Sequence, residues 1–481
     1  MFFSVYTLGC KLNQLETEAI SDSFQREGFH LFPWEFAEPD SAEAGLLVIN
    51  TCTVTSMAEQ KARRVIRKAL REHPLACLIV TGCYAQMDEA ALASLEGKPG
   101  GRFFVIPEEK KDSILDLPRF LANAGPEVMA ALPGLVASWL EQNSREKAIE
   151  DRTFRFAPES FSSHSRGFLK IQDGCDRCCA YCRVNLARGK SRSLDADEVL
   201  RRLLALERKG FTEVVLTGVN ISQYRDSGIA LPGLLDFLLK GTEKIRLRLS
   251  SIEPDELSDD FYSVMTNKRI RPHFHLSMQS GSEEILAKMG RLYSPIDVEK
   301  AAARLRSIRE DPFLACDIIA GFPGETAGDF EKTFTLAEKI GFSWIHAFPY
   351  SPRPGTPAFD FPGKVSEKER LERVKLLTAL ARKGRREYIQ RWLGKDVEAV
   401  VEAEEYCLEN GSADKTFVSG VSENYLKLLV NYHADYGETT IPVPGSLVQC
   451  RILRNQALLN PVQKAGCSDF SCFDAFAQKT G

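Results

Sequence analysis

Residues 168–182 read FLKIQDGCDRCCAYC, a short apolar strand followed at once by four cysteines within eight residues. Cys175, Cys179 and Cys182 stand in a C-x3-C-x2-C spacing. Thiolates are soft ligands that favour iron–sulfur clusters, and a loop this tight lets three of them reach one cluster. Three ligands leave one iron of a four-iron cluster open, and an open iron can chelate a small molecule. A zinc knuckle or a set of buried thiols are the alternatives. Cys175 with Cys178, and Cys179 with Cys182, also make C-x2-C pairs. A four-cysteine zinc site so crowded has poor geometry, and Cys178 reads as a bystander.

Outward from this loop, β-branched runs alternate with helical patterns, the mark of an α/β architecture around a mostly parallel sheet. Six candidate strands follow: Phe168–Ile171, Glu213–Thr217, Arg246–Ser250, His273–Met278, Leu314–Ile319 and Trp344–Phe348. Helical stretches such as Asp197–Lys209 and Ile296–Arg309 separate them. Six β/α units predict a partial barrel, short of the eight that close one. Residues 366–392 form a basic helix with nine Lys/Arg against four Asp/Glu, clustered at Arg382, Lys383, Arg385 and Arg386. Leu371, Val374, Leu377 and Leu380 fall at helical spacing and are expected to face a core. The barrel domain is thus expected over 166–392, a polar linker at 141–165 before it, a small all-β barrel over 393–455 and a patternless tail over 456–481.

Residues 1–140 read as a separate parallel α/β domain, with strands Phe2–Thr7, Leu46–Asn50 and Leu78–Thr81 and helices Leu15–Glu27 and Glu59–Arg71. Three of its strands end in cysteine: SVYTLGC at Cys10, LLVINTC at Cys52 and CLIVTGC at Cys83. In an open parallel sheet the loops at the carboxyl ends of strands converge on one crevice. Three cysteines there imply a shared ligand; separate buried thiols are the alternative. Cys77, inside its strand, fits a buried thiol. Cys316, Cys407 and Cys450 lie in apolar strand-like settings and read as core, as do Met278 and Met289. Cys467 and Cys472 carry no partner motif. His273 and His275 alternate on one strand and read as structural.

Composition sets the outer bounds. The chain has 481 residues, 13 cysteines, 62 Lys/Arg and 66 Asp/Glu, for a net charge of −4. This excludes a globally basic nucleic-acid binder but not a local basic patch. No apolar run approaches the ~18–20 residues that span a bilayer. The opening MFFSVYTLGCK has no basic start before its apolar run, which argues against a secretory signal. Thirteen cysteines without a signal point to metal ligands and reduced thiols in a cytoplasmic protein.

Polar residues and glycines recur at the strand carboxyl ends of the barrel, as a barrel site needs: Gly218 and Asn220, Ser250, Ser251 and Glu253, Gln279 to Gly281, Asp317, and Arg353. With TLGCKLNQLETE at 7–18, VINTCTVT at 48–55, TGCYAQ at 81–86, LSSIEP at 249–254, LSMQSGS at 276–282 and DIIAGFPGET at 317–326, the chain resembles the radical S-adenosylmethionine (SAM) methylthiotransferases over all but its tail. Its opening CKLNQLETE and its NTCTVT stretch resemble the branch that acts on N6-threonylcarbamoyladenosine in tRNA. Two features depart from the family pattern: Cys178 replaces an aromatic or Asn, and Val184-Asn185-Leu186 replaces Ile-Pro followed by an aromatic. Ala187-Arg188-Gly189 is retained.

The resemblance implies two [4Fe-4S] clusters, one on Cys175, Cys179 and Cys182 and one on Cys10, Cys52 and Cys83. The first would bind SAM through its open iron and, with one electron, release a 5′-deoxyadenosyl radical that takes hydrogen from C2 of the modified adenine. The second would carry a sulfur that a further SAM methylates before transfer to C2. Both clusters then face one substrate base, so the two domains must pack strand end to strand end. Gly218, Asn220, Ser251, Glu253, Gln279 and Arg353 are implied for the SAM pocket, with Arg353 on the methionyl carboxylate. The product would be 2-methylthio-N6-threonylcarbamoyladenosine beside the anticodon, and an electron donor and a sulfur source are required. The small C-terminal barrel resembles a TRAM-like RNA-binding domain. Residues 392–455 carry only five Lys/Arg against ten Asp/Glu. A limited face is therefore expected there, with Lys427, Arg451 and Arg454 for phosphate and Phe417, Tyr425 and Tyr432 for stacking. The sister activities on isopentenyladenosine or a ribosomal-protein aspartate, sulfur insertion without methylation, and a non-catalytic iron–sulfur RNA-binding protein are the competing readings.

Overall fold

The strand-forming runs of the first domain are continuous and apolar, as strands covered on both faces require. In the computed structural model, β1 (Phe2–Thr7), β2 (His30–Leu31), β3 (Ala44–Thr51), β4 (Cys77–Gly82) and β5 (Phe103–Ile106) form one parallel sheet in the order β2-β1-β3-β4-β5. The structure describes residues 2–32, 44–96, 101–125, 128–143, 153–162, 164–408, 416–432, 442–453, 462–463 and 474–479. Helix α1 (Lys11–Arg26) packs Ala19, Ile20 and Phe24 with Phe3, Val48 and Ile79 on one face of the sheet. Helix α2 (Ser56–Glu72) packs Ala62, Ile66 and Ala69 with Leu47, Ile49 and Val80 on the other. Cys77 is fully buried within β4.

The segment expected as a linker is laid down along this domain. Phe156 joins the first core, Arg155 pairs with Asp112 and Asp116 at 3.0 and 2.6 Å, and Ser160 donates to Asp22 at 2.6 Å. The polar sequence of the segment hides these anchors.

The barrel strands β6 (Gly167–Lys170), β7 (Glu213–Thr217), β8 (Arg246–Leu249), β9 (His273–Gln279), β10 (Phe313–Ala320) and β11 (Trp344–Pro349) are all parallel. Bridges Leu247–Ile270 and Ile252–Leu276 join two three-stranded sheets into one six-stranded partial barrel. Helices α3 (Ala196–Arg208), α4 (Leu231–Gly241), α5 (Asp259–Met265), α6 (Pro295–Ile308) and α7 (Ala327–Ile340) cover its outside. Met278 and Cys316 are fully buried in its core. Met289 is fully buried in a smaller cluster beside Phe322 and Tyr350.

Helix α8 (Glu367–Trp392) follows. Its buried line runs through Arg373, Leu377, Ala381, Tyr388 and Trp392, with Val374 and Leu380 half-buried. Leu371 falls off that line and is 52% exposed, contrary to the core position expected of it.

The C-terminal strands β12 (Asp396–Leu408), β13 (Thr416–Ser422), β14 (Lys427–Tyr432), β15 (Leu447–Leu453) and β16 (Ala475–Lys479) close a ring in the order β12-β13-β14-β16-β15-β12. The expected tail over 456–481 is therefore corrected: β16 pairs with both β14 and β15 and completes the barrel. Only a five-residue alternation, with Ala475 and Ala477 inward, marks it in sequence. Cys450 is buried in this barrel. Cys407 lies within β12, and Cys467, Cys472 and Arg454 lie outside the described residues. The barrel core is continuous with Phe313 of β10 and with Tyr388 and Trp392 of α8, so it stands against the central domain.

Candidate functional site

In the first sheet the chain adds β2 on one side of β1 and β3 on the other, so the crevice of this sheet lies between the carboxyl ends of β1 and β3. Cys10 and Cys52 stand there, and Cys83 follows the neighbouring β4. Asn13 holds the arrangement, its Nδ2 donating to the Leu8 and Thr51 carbonyls at 2.7 and 3.0 Å. Asn50 donates back to the Asn13 carbonyl at 3.0 Å. Gly9, at φ 115°, allows the first loop to close on the second: a Cβ there would sit 2.7 Å from the Cys52 Cβ. Burial pushes the Cys52 thiol up to about 11, helped by the neighbouring Cys10. Burial pushes Cys83 up to about 12.

The second trio is built locally. The Cys175 amide donates to the Gly189 carbonyl at 3.0 Å and the Cys182 amide to the Cys179 carbonyl at 3.0 Å. The Val184 amide donates to the Cys182 sulfur at 3.4 Å. Burial raises all three thiols, Cys182 to about 12. Cys175 and Cys179 also raise Cys182, and Cys175 raises Cys179, so the three thiols are neighbours. Cys178 is exposed and stands apart from them.

Among the described residues, no group of three or more His, Cys, Asp or Glu side chains is close enough to hold a single metal ion. The all-sulfur donor set of each trio suits iron–sulfur ligation. The buried Asn220 side chain hydrogen-bonds the Cys175 thiol, and its Oδ1 has no further partner among the described residues. An orphaned polar atom at a thiol loop fits a bound polar cofactor.

Between the domains lies a cavity of about 1060 Å³. Cys10, Cys52 and Cys83 line one side. Gly218, Ser250 and Ser251, at the carboxyl ends of barrel strands, and Asp317 and His346, within β10 and β11, line the other. Val184 and Arg188, just after the second trio, also reach it. The two domains thus meet strand end to strand end.

Two buried hubs fix that meeting. Glu16 of α1, fully buried, accepts from Arg188 at 2.9 and 3.1 Å, from Lys170 at 3.4 Å, and from Lys111. Burial acts to raise its pKa, but Arg188, Lys111 and Lys170 outweigh this and hold it well below the carboxylate range. At the second hub, Glu59 of α2 binds Arg183 at 3.3 Å and also Arg353.

The second hub relocates Arg353. Its guanidinium donates to Thr53 Oγ1 at 2.8 Å and pairs with Glu59, both in the first domain. It does not line the cavity with Gly218 and Ser251. Glu253 is instead clasped by Arg291 at 2.9 and 2.8 Å, and Arg291 binds the Tyr181 hydroxyl at 2.5 Å within the cysteine loop. Gln279 is buried at the end of β9 in the left-handed region, φ 60°, a conformation that marks functional strain in a non-glycine residue.

His273 and His275 line the cavity; His275 Nε2 lies 3.1 Å from Asp317 and its ring stacks on His346 at 5.1 Å. Arg382, Arg385, Arg386, Lys427 and Tyr425 line the same cavity from α8 and the small barrel. Lys383 points elsewhere, to Glu338 at 3.1 Å. Arg451 is paired with Asp396 on the surface at 2.8 Å, and Phe417 is buried. Glu16, Glu59, Arg291 and His346 escaped sequence reasoning, because isolated charged residues carry no periodicity. Only the quoted LNQLETE and Ala187-Arg188-Gly189 stretches hinted at the first hub.

A partial barrel bearing a three-cysteine loop at its strand ends defines a radical SAM protein, and residues 169–337 match the model of the radical SAM superfamily. Residues 3–99 match a family described as uncharacterized protein family UPF0004. A solved structure of the radical SAM methyltransferase TsrM from Kitasatospora setae, with tryptophan and a SAM analogue, shares the fold at a TM-score of 0.50 and 15% identity, covering 74% of this chain and 75% of that one. The threonylcarbamoyladenosine tRNA methylthiotransferase MtaB of Treponema pallidum is 38% identical over 95% of this chain and 99% of its own. The protein of the same name from Thermotoga maritima is 34% identical over 88% of this chain and 90% of its own. The chain belongs to this family of radical SAM tRNA methylthiotransferases.

Proposed function

We propose that this protein is the enzyme that methylthiolates C2 of N6-threonylcarbamoyladenosine beside the anticodon of tRNA, giving 2-methylthio-N6-threonylcarbamoyladenosine. The observation that carries this reading is the single cavity into which Cys10, Cys52 and Cys83 and the barrel strand ends both open. Cys175, Cys179 and Cys182 would hold one [4Fe-4S] cluster and Cys10, Cys52 and Cys83 a second. With SAM, these groups supply the electron transfer, hydrogen abstraction and methylthio group.

The chain supplies placement. Asn220, beside Cys175, and Glu253, fixed by Arg291, orient SAM together with Gly218, Ser251 and Gln279. The Glu16 and Glu59 hubs lock the two domains around the cavity and keep bulk water out. The substrate base must leave its stack to enter; Arg382, Arg386 and Lys427 at the cavity suit the flanking phosphates and Tyr425 suits stacking. The chemistry calls for an electron donor and a sulfur source as partners. No described helix is long and apolar enough to cross a membrane, and a tRNA substrate suits an enzyme of the cytoplasm.

Nucleoside mass spectrometry of tRNA from cells with and without the gene tests this. Loss of the methylthiolated nucleoside with accumulation of N6-threonylcarbamoyladenosine is expected. Loss of the isopentenyladenosine derivative instead, or no change in either, would overturn the substrate assignment.

A further inference from the structure

Behind one wall of the cavity, a cluster of arginines already engages the neighbouring carboxylates, Glu402 and Glu423 included. Glu213, buried at the start of β7, accepts from Arg248 at 2.7 and 3.1 Å and from Arg271 at 2.7 Å, with Arg166 at 3.6 Å. Arg271 and Arg246 also share Glu398, each at 2.7 Å. The carboxylates of this wall are therefore taken up by guanidinium groups. Lys11, the first residue of α1 and next to Cys10, lines the cavity beside them. Its ammonium lies 5.8 Å from the centre of the Tyr425 ring. Among the described residues, no carboxylate forms an ion pair with it.

A shielded ammonium facing an aromatic ring and two arginines is poorly compensated unless an anion arrives with the ligand. We propose that Lys11 is the specificity-determining residue that binds the carboxylate of the threonylcarbamoyl group. This rests on the substrate reading above. C2 and N6 of adenine flank N1 on the same edge of the base. A base whose C2 is offered to the Cys10, Cys52 and Cys83 site therefore carries its N6 substituent toward the residues beside those cysteines. The threonyl carboxylate is the one negative charge on the base itself; an isopentenyl group offers none. A site built for a charged group rejects an analogue that leaves its cation unpaired. A backbone phosphate and the methionyl carboxylate of SAM share this anionic chemistry, and the experiment separates the sources.

The test uses the cluster-reconstituted full-length protein and anticodon stem-loops carrying N6-threonylcarbamoyladenosine, its threoninamide analogue, isopentenyladenosine or plain adenosine at the target position. Wild type is expected to prefer the carboxylate-bearing RNA over the amide. Lys11→Gln is expected to bind the carboxylate RNA about 10- to 100-fold more weakly, and the amide and adenosine RNAs as wild type does. Lys11→Arg is expected to keep most of the preference. Iron content and SAM affinity matching wild type confirm an intact site in each variant. Equal weakening on every RNA assigns Lys11 to a phosphate and overturns the proposal. Weakened SAM binding with RNA discrimination intact assigns it to SAM and also overturns it. Should Lys11→Gln fold poorly, the amide comparison in wild type still decides: no loss on removing the charge overturns the proposal. A wild type that prefers the isopentenyladenosine RNA defeats the substrate reading itself, whereas a wild-type preference preserved in Lys11→Gln defeats only the role of Lys11.

Discussion

The two cysteine trios solve one chemical problem by different structural routes. Cys175, Cys179 and Cys182 come from one loop of eight residues, tied by backbone hydrogen bonds within it and to Gly189 and Met289. Cys10, Cys52 and Cys83 come from three strands and meet only because β1, β3 and β4 pair in parallel and in register. The first trio is a local motif at the barrel strand ends and does not itself line the cavity. The second is a product of topology and lines the cavity. A local loop keeps its ligands together through small movements of the scaffold. A trio assembled from strand ends depends on every contact that holds those ends, and it is the one offered to the substrate.

Removing ligands breaks the comparison most sharply. Cys52→Ala and Cys179→Ala are each expected to abolish methylthiolation and to lose about half of the bound iron, because each trio serves its own cluster. They should separate in SAM affinity: Cys179→Ala loses it and Cys52→Ala keeps it. Loss of SAM binding in both would mean that the trios do not act separately.

The next effect tests what holds the trios together. Glu16→Gln leaves Arg188, Lys111 and Lys170 buried around a neutral group. A loss of about 3–5 kcal/mol is expected in denaturant unfolding. Because the folded Glu16 carboxyl is held well below its ordinary range, its contribution is present at neutral pH. It fades as pH falls below the ordinary carboxylate pKa and through the folded value. Wild type should therefore lose more stability on acidification than Glu16→Gln does, and parallel pH profiles would refute the hub.

The smallest effect concerns the mouth of the cavity. Arg382 and Arg386 line it from one side of α8. Each substitution to Gln is expected to lower the slope of log affinity against log salt by about 1 and to weaken modified and unmodified tRNA alike. Lys383→Gln, paired to Glu338 away from the cavity, should leave the slope unchanged. An unchanged slope in the first two would return these arginines to a solvated helix face.

The contrast between the trios also explains what was legible. The strands of the first sheet and the six barrel strands could be read because each is a continuous apolar run bounded by polar turns, as in VVLTG at 214–218. The strand Phe103–Ile106 was missed as a four-residue edge. Ala475–Lys479 was missed because nothing in its five residues shows that β14 and β15 leave a gap for it. The position of Arg353 after β11 is legible, whereas its pairing with Glu59 across the interface is not.

The sequence by itself determined the chemistry that the chain can carry: which cysteines are spaced or placed as ligands, which runs are strands, and which family they belong to. These are properties of neighbours along the chain, and local spacing records them. The tertiary structure decided which charges meet. It joined Glu16 to Arg188 across 172 positions, paired Arg353 with Glu59 across the domain interface, and left Lys11 lining the cavity with no ion pair among the described residues. Electrostatic partners are chosen by distance in space under a low dielectric, and a linear sequence does not contain that distance.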